Sequence, residues 1–338
     1  MLNVNAYTAG LYTPSARYRV RQLIPHLERR EVFINEIYSK AGSFPPSDRS
    51  KHLSWAIKNV SENFFKVFSQ PPSDVTLLQK AMLSKHYTFE WLLKKPLAFD
   101  VDDAIFLDNG GYFTRKIAKQ CRKIICGNSF LANYFLQYNP NVDIVPTAVD
   151  VSKYDAAQID RDQASIFYIL WTGTSSGYPF VYQIEKALKR IVSRYDFVKI
   201  KIVSDSPPKF TLLDENDFVF NKWTPDIEFS SIKSANVGIM PINDNDQSRG
   251  KCSYKMLCYM AAKIPLIASP YGMNKEVLSM GNIGYGAISI DDWYDALEQI
   301  ILSSEKEQQL AQNAYEVVIK NFDVSVVADQ LGRALKNV

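Results

Sequence analysis

Short apolar runs recur along the chain, each bounded by polar or helix-patterned stretches. Residues 2–7, 75–79, 97–101, 123–126 and 143–145 form such runs in the first half, and residues 166–170, 198–203, 237–240 and 265–268 in the second. Runs this short and this apolar are expected of strands buried on both faces, as in parallel sheets covered by helices. Two β/α series therefore predict an α/β fold of two Rossmann-like, doubly wound parallel sheets, with the site in a cleft between them. Residues 291–302 and 305–320 carry helical periodicity, the first opening on two acids as a helix dipole prefers. In residues 55–68, Trp55, Val60, Phe64, Phe65 and Phe68 line one wide helical face. The ordinary expectation for that face is packing against the first sheet. Lys58 and Lys66 on the same segment allow the alternative, a helix that meets a membrane or an acceptor.

The polar stretch 150–165 lacks periodicity and reads as a linker, which puts a boundary near residue 158. The expected organisation is two domains, residues 1–158 and 159–320, followed by a terminal helical segment, residues 321–338. A chain of 338 residues suits two domains, and 46% hydrophobic with 22% charged residues is an ordinary globular composition. No apolar run approaches the roughly 18 residues of a membrane span. The first residues look like a strand rather than a secretory signal, so a cytoplasmic protein is expected. Four cysteines and three histidines fit no zinc spacing, and neither metal nor cofactor is expected. Residues 1–158 carry 20 Lys and Arg against 14 Asp and Glu, net +6, whereas residues 159–338 carry 19 against 22, net −3. The first half should favour anionic partners: an acidic saccharide, a phospholipid-linked acceptor or the inner membrane surface, giving possible peripheral contact. No motif interleaves aromatics with cations as nucleic-acid binding would require.

The most informative stretch for chemistry is Arg249-Gly250-Lys251-Cys252-Ser253-Tyr254-Lys255-Met256-Leu257-Cys258-Tyr259-Met260-Ala261-Ala262-Lys263-Ile264-Pro265. A loop with two cations and a glycine enters a helix, an arrangement suited to an anion such as a nucleoside diphosphate. Three other clusters stand at strand ends. Ser15, Arg17 and Arg19 follow the first strand and could reach a phosphate or an acidic acceptor. Asp100, Asp102 and Asp103 crowd the end of another, where carboxylates are costly unless they bind something, such as sugar hydroxyls. Gly173, Thr174 and Ser175 close the first strand of the second half, where the glycine admits close backbone approach and the hydroxyls can donate to phosphate. No Ser/His/Asp set, Cys/His pair or Walker loop is apparent, and residues 281–286 do not fit the dinucleotide fingerprint.

Residues 249–265 resemble the donor site of family 4 glycosyltransferases, which are retaining enzymes of the GT-B fold, especially a bacterial exopolysaccharide-type branch. The resemblance implies two Rossmann-like domains facing a central cleft, residues 1–158 as the acceptor domain and 159–320 as the nucleotide-sugar donor domain, with the terminal helix of residues 321–338 crossing back to the first. It implies nucleotide-sugar binding by Cys252, Ser253, Tyr254 and Lys255, base reading near Trp223 and Thr224, and a loop with Asn274 beside the donor sugar. Ser15-x-Arg17-x-Arg19 is similar to a motif of the same branch. Two departures stand out: Cys258 replaces a glutamate that would hold the ribose, and Lys263 replaces a glycine. Many relatives also place a histidine near Asp102, where this chain has none; His86 reads as a surface residue.

With the residues, the resemblance implies transfer of a hexose, best read as glucose from UDP-glucose, to a saccharide or lipid-linked saccharide acceptor in exopolysaccharide or envelope-glycan assembly. Arg249 and Lys251 would stabilise the leaving diphosphate without a metal, and Asp102 and Asp103 would complete the catalytic set. The competing expectation is a non-catalytic GT-B subunit that binds a nucleotide sugar as regulator or scaffold. An epimerase should show more titratable side chains.

Overall fold

The computed structural model describes residues 1–11, 13–42, 45–46, 48–155 and 166–338; the boundary expected near residue 158 lies outside them. The chain divides into two compact units: Met1–Ala148 with Arg249–Cys252 and Val324–Val338, and Val149–Ser248 with Ser253–Asp323.

The first unit is built on β1 (Leu2–Thr8), β2 (Val32–Tyr38), β3 (Val75–Gln79), β4 (Leu97–Val101), β5 (Lys123–Cys126) and β6 (Val142–Ile144). They pair in parallel in the order β2-β1-β3-β4-β5-β6. Every residue of β3, β4 and β5 is buried. Because successive side chains leave opposite faces of a strand, each central strand feeds two cores. Leu77 and Ala98 join Leu23, Leu27 and Leu331 on one face, the last from the helix Val324–Lys336. Leu78 and Phe99 join Phe113, Ile117 and Phe135 on the other.

The second unit holds β7 (Phe167–Thr172), β8 (Val198–Ser204), β9 (Phe218–Lys222), β10 (Val237–Met240), β11 (Leu266–Ala268) and β12 (Gly284–Gly286). Their order is β12-β11-β10-β7-β8-β9, again all parallel. Ile169, Ile200, Ile202 and Ile239 pack with Leu188 and Ile191 of the helix Glu185–Arg194 and with Trp293 and Leu297 of Ile290–Leu302. A Cβ on Gly238 would lie 2.3 Å from the Tyr259 ring, so the glycine lets the helix Tyr254–Ala261 lie close on β10.

In each sheet the strand order reverses once: between β1 and β3, and between β7 and β10. Ligands of open parallel sheets gather outside the carboxyl ends at such a reversal. The segments that follow these strands therefore decide the site.

The helix His52–Phe68 departs from the expected packing. Its buried positions are Asn59, Asn63 and Val67, while Val60, Phe64, Phe65 and Phe68 are exposed. Asn59 donates to the Gly42 carbonyl at 2.6 Å, and Asn63 donates to Asn59 at 2.8 Å and to the Met82 carbonyl at 3.3 Å. Side-chain amides that find partners have taken the inner face with Trp55, which is half-buried and donates to the Ala41 and Gly42 carbonyls, and Val60, Phe64, Phe65 and Phe68 are left outside.

Candidate active site

In the first unit the carboxyl ends of β1, β3 and β4 bring together Ser15, Arg19, Lys80, Asp100, Asp102 and Asp103. Arg19, in the turn Ala16–Val20, is buried; its guanidinium forks onto both oxygens of Asp100 and donates to the Val145 carbonyl. A planar guanidinium suits this bidentate geometry, and both charges are compensated inside the fold. Arg19 thus holds Asp100 rather than meeting solvent. Arg17 is half-buried and lies 5.2 Å from the centre of the Tyr18 ring.

Lys80, just past β3, adopts a left-handed φ of 61° and places its ammonium 3.0 Å from Asp102 and 2.7 Å from Asp103. Burial works to raise the Asp102 pKa, but Lys80, Arg19 and the Ser15 hydroxyl outweigh it, and the carboxyl sits below its ordinary value. Lys80 is drained by its own burial but raised further by the two carboxylates, so it stays charged. Nothing in the sequence pattern singled out Lys80; only its position at the end of β3 beside the strand reversal could have done so.

The loop Arg249–Cys252 is seated on this cluster. Asn128 caps the helix Ser129–Phe135 by accepting from the Leu131 amide at 2.9 Å, and its amide group donates to the carbonyls of Arg249 at 3.1 Å and Lys251 at 3.0 Å. Cys252 donates to the Asp102 carbonyl at 3.2 Å. Any Cβ on Gly250 would lie 2.5 Å from that of Ala104 and 2.8 Å from its nitrogen, so only glycine permits this approach. The charge of Lys251 is felt at Asp103. Among the described residues no group of three or more His, Cys, Asp or Glu is placed to hold a metal ion.

No family model matches the chain, and no curated protein matches it in sequence. Solved structures do. Sucrose-phosphate synthase from Thermosynechococcus elongatus is similar with a TM-score of 0.71 at 13% identity, covering 99% of this chain and 98% of that one. Anabaena HepE in complex with UDP-glucose also gives 0.71, at 12% identity over 100% of both chains. WaaG, a glycosyltransferase involved in lipopolysaccharide biosynthesis, gives 0.66 at 12% identity over 98% of this chain and 99% of that one. The chain has the GT-B fold.

In the second GT-B unit the remaining expected residues follow β7 (Gly173, Thr174, Ser175), β9 (Trp223, Thr224), β10 (Ser253, Tyr254, Lys255) and β11 (Asn274). Lys255 extends over Gly173, where a Cβ would lie 2.7 Å from the ammonium, and its charge sits 5.2 Å from the Trp171 ring. Ser253 precedes the helix Tyr254–Ala261 in a left-handed conformation, φ 49°, and no side chain caps that helix. Its hydroxyl donates to Asn274 at 2.6 Å, and Asn274 donates to the Ser269 carbonyl at 3.1 Å. Buried Asn274 thereby fixes the helix entry. Tyr254 is half-buried.

Some expected phosphate donors have partners of their own. Ser175 gives its amide and its hydroxyl to Asp205, at 2.6 and 2.8 Å, and the Thr174 and Ser176 hydroxyls meet at 2.8 Å. Thr224 caps the helix Pro225–Lys233. Trp223 is 37% exposed and so presents its ring rather than joining the core.

Cys258 is buried, and burial, with Glu228 adding to it, pushes its thiol up to about 12. It is a neutral, inert side chain. Glu228, from the first turn of Pro225–Lys233, accepts a hydrogen bond from Thr172 at 2.8 Å and acts on Cys258 through its charge. Glu228 belongs to no sequence motif, although it stands four residues after the Thr224 cap. His86 is exposed, as read.

Proposed function

We propose that this GT-B protein is a retaining glycosyltransferase of the family 4 type, which moves glucose from UDP-glucose to a saccharide acceptor in exopolysaccharide or envelope-glycan assembly. The reaction breaks the bond between the sugar C1 and the diphosphate oxygen, which leaves with the electron pair. The acceptor hydroxyl oxygen joins C1 and its proton is released. Negative charge grows on the leaving diphosphate, and fixed cations lower that barrier without a titratable nucleophile.

The observation that carries this reading is the seat of the loop Arg249–Cys252 beside Asp102 and Asp103, held by Asn128 and by the Gly250 contact. The charge of Lys251 acts at Asp103, Arg249 belongs to the same loop, and Lys80 keeps the carboxylates in place, a set suited to a leaving diphosphate and an acceptor hydroxyl. Lys255 over Gly173 and the uncapped start of Tyr254–Ala261 support diphosphate binding in the second unit. Ribose recognition falls to Glu228, the carboxylate beside Cys258. HepE was solved with UDP-glucose, which favours that donor, and the role of WaaG favours an envelope glycan. The work would be metal-independent and cytoplasmic, at or near the inner membrane face.

Titration with UDP-, GDP-, ADP- and dTDP-sugars, followed by an assay for donor hydrolysis without acceptor, tests the reading. Binding of UDP-glucose with slow release of UDP is expected. Binding with no turnover across an acceptor screen would favour a regulatory subunit, a reading that Cys258 at the glutamate position keeps open. No binding would overturn the donor site.

A further inference from the structure

The helix His52–Phe68 is amphipathic in the wrong sense for a solvated helix. Leu53, Ile57, Val60, Phe64 and Phe68 recur at spacings of three and four, which aligns them along one stripe, with Phe65 at its edge. They are 73%, 63%, 41%, 44%, 64% and, for Phe65, 68% exposed. A contiguous apolar stripe of this kind marks an interaction surface rather than scattered exposure. It continues past the helix: Phe64 meets Phe89 edge to face at 5.9 Å, and Gln70 ties the segment after Phe89 to the helix end through the Leu92 carbonyl and the Lys94 amide. Trp91 in that segment is 58% exposed.

The border of the stripe is basic. Lys58 and Lys51 stand seven and fourteen residues before Phe65, in its row; both are exposed, as are Arg49, Lys94 and Lys95. Acid is nearly absent: the helix contains only Glu62, which pairs with Lys66 at 2.6 Å and accepts from the amides of Lys40 and Ala41. Asp48, before the helix, lies 3.4 Å from Lys51. Exposed aliphatic and aromatic side chains flanked by cations and a tryptophan complement the boundary between acyl chains and anionic headgroups. A second copy of the chain fits less well, because a two-fold contact would set the same cations against each other. No helix among the described residues is long and apolar enough to cross a membrane, so the helix would lie in the surface.

We propose that the outer face of His52–Phe68, bordered by Lys51, Lys58, Trp91 and Lys94, is an in-plane membrane-binding surface selective for anionic phospholipid. This goes beyond the transferase reading and does not depend on it, since the test reads binding and not turnover.

The test is co-sedimentation of the full chain with phosphatidylcholine vesicles, with and without about a third phosphatidylglycerol. Binding to the anionic vesicles is expected, weakened by salt and poor on phosphatidylcholine alone. Ile57→Ser with Phe65→Ser and Phe68→Ser should lower the partition coefficient at least ~30-fold, and Lys58→Glu roughly tenfold. Because these side chains are exposed, an unchanged melting transition is expected; should the triple variant misfold, Phe65→Ser alone serves. Failure of the parent chain to bind either vesicle, or binding unaltered in the variants, would overturn the proposal. So would a concentration-dependent dimer in light scattering that the triple variant abolishes, which would assign the face to a second copy.

Discussion

The ammonium of Lys80 lies 3.0 Å from the Asp102 carboxylate, and little of either side chain is exposed. Inside the fold each charge is tolerable because the other is present. The backbone helps: Lys80 takes a left-handed turn directly after β3, and its amide donates to the Asp100 carbonyl at 2.9 Å. One residue thus links the end of β3 to Asp100 within β4 and to Asp102 and Asp103 just after it.

Removing this cation should expose the dependence. Lys80→Met leaves Asp102 buried without its main partner, a change that typically costs about 3–5 kcal/mol. The sign with pH follows from the Asp102 shift. Its folded pKa lies below the ordinary value, so the stability it contributes is present above the unfolded pKa and is lost as pH falls through the folded one. In Lys80→Met that loss should begin at higher pH, and in Lys80→Arg it should stay near the parent. Chemical unfolding measured from neutral to acid pH checks this; an acid limb unchanged in Lys80→Met would show that Lys80 does not hold Asp102.

Arg249 and Lys251 are anchored by their main chain, through Asn128, rather than by their side chains alone. Truncating either to Ala should therefore leave the loop in place and the fold stable. Turnover should fall by roughly 100-fold or more, the usual loss for one electrostatic stabiliser of a developing charge. Steady-state rates of UDP release report it, and turnover unaltered in either variant would remove that residue from the mechanism.

Glu228 and Cys258 give opposite expectations at one place. If Glu228 holds the ribose, Glu228→Gln should weaken UDP binding about tenfold or more, the effect of losing a charge-assisted hydrogen bond. Cys258→Ala should leave affinity within a few-fold, since the thiol is buried and neutral. Calorimetry with UDP separates the two; a large loss in Cys258→Ala with none in Glu228→Gln would reverse the assignment.

The central strands were legible because burial on both faces writes an unbroken apolar run. Thus β3, β4, β5 and β10 coincide with the expected segments. Those missed, β2, β9 and β12, are sheet edges. An edge strand is covered less completely, and its sequence mixes polar residues with apolar ones, as in Val32-Phe33-Ile34-Asn35-Glu36. Gly284-Tyr285-Gly286 offers no run at all; it is a strand because a Cβ on Gly284 would collide with the Leu266 carbonyl, so the bare backbone pairs closely. The site was half legible. Cations, carboxylates and glycines announce themselves by type, whereas Lys80, Asn128 and Glu228 matter through partners remote in sequence, and Arg19 looks like a ligand residue until Asp100 is found against it. On the helix His52–Phe68 periodicity fixed which residues share a face but not which face turns inward, because buried amides with partners outcompeted the aromatics.

The seat of the loop Arg249–Cys252 can be tested through a pair of small residues. A Cβ on Gly127 would lie 2.3 Å from the Cys252 sulfur and no closer than 3.4 Å to any other atom outside its chain neighbours, so sulfur alone forbids alanine there. Gly127→Ala should destabilise by about 1–3 kcal/mol, as overpacking does, or displace the loop and lower turnover. Cys252→Ala removes the obstructing atom, and the double variant should recover much of the loss. A double-mutant cycle on thermal unfolding should then give a coupling of about 1 kcal/mol or more. Additive effects would mean that Cys252 does not rest on Gly127, so that this contact does not seat the loop.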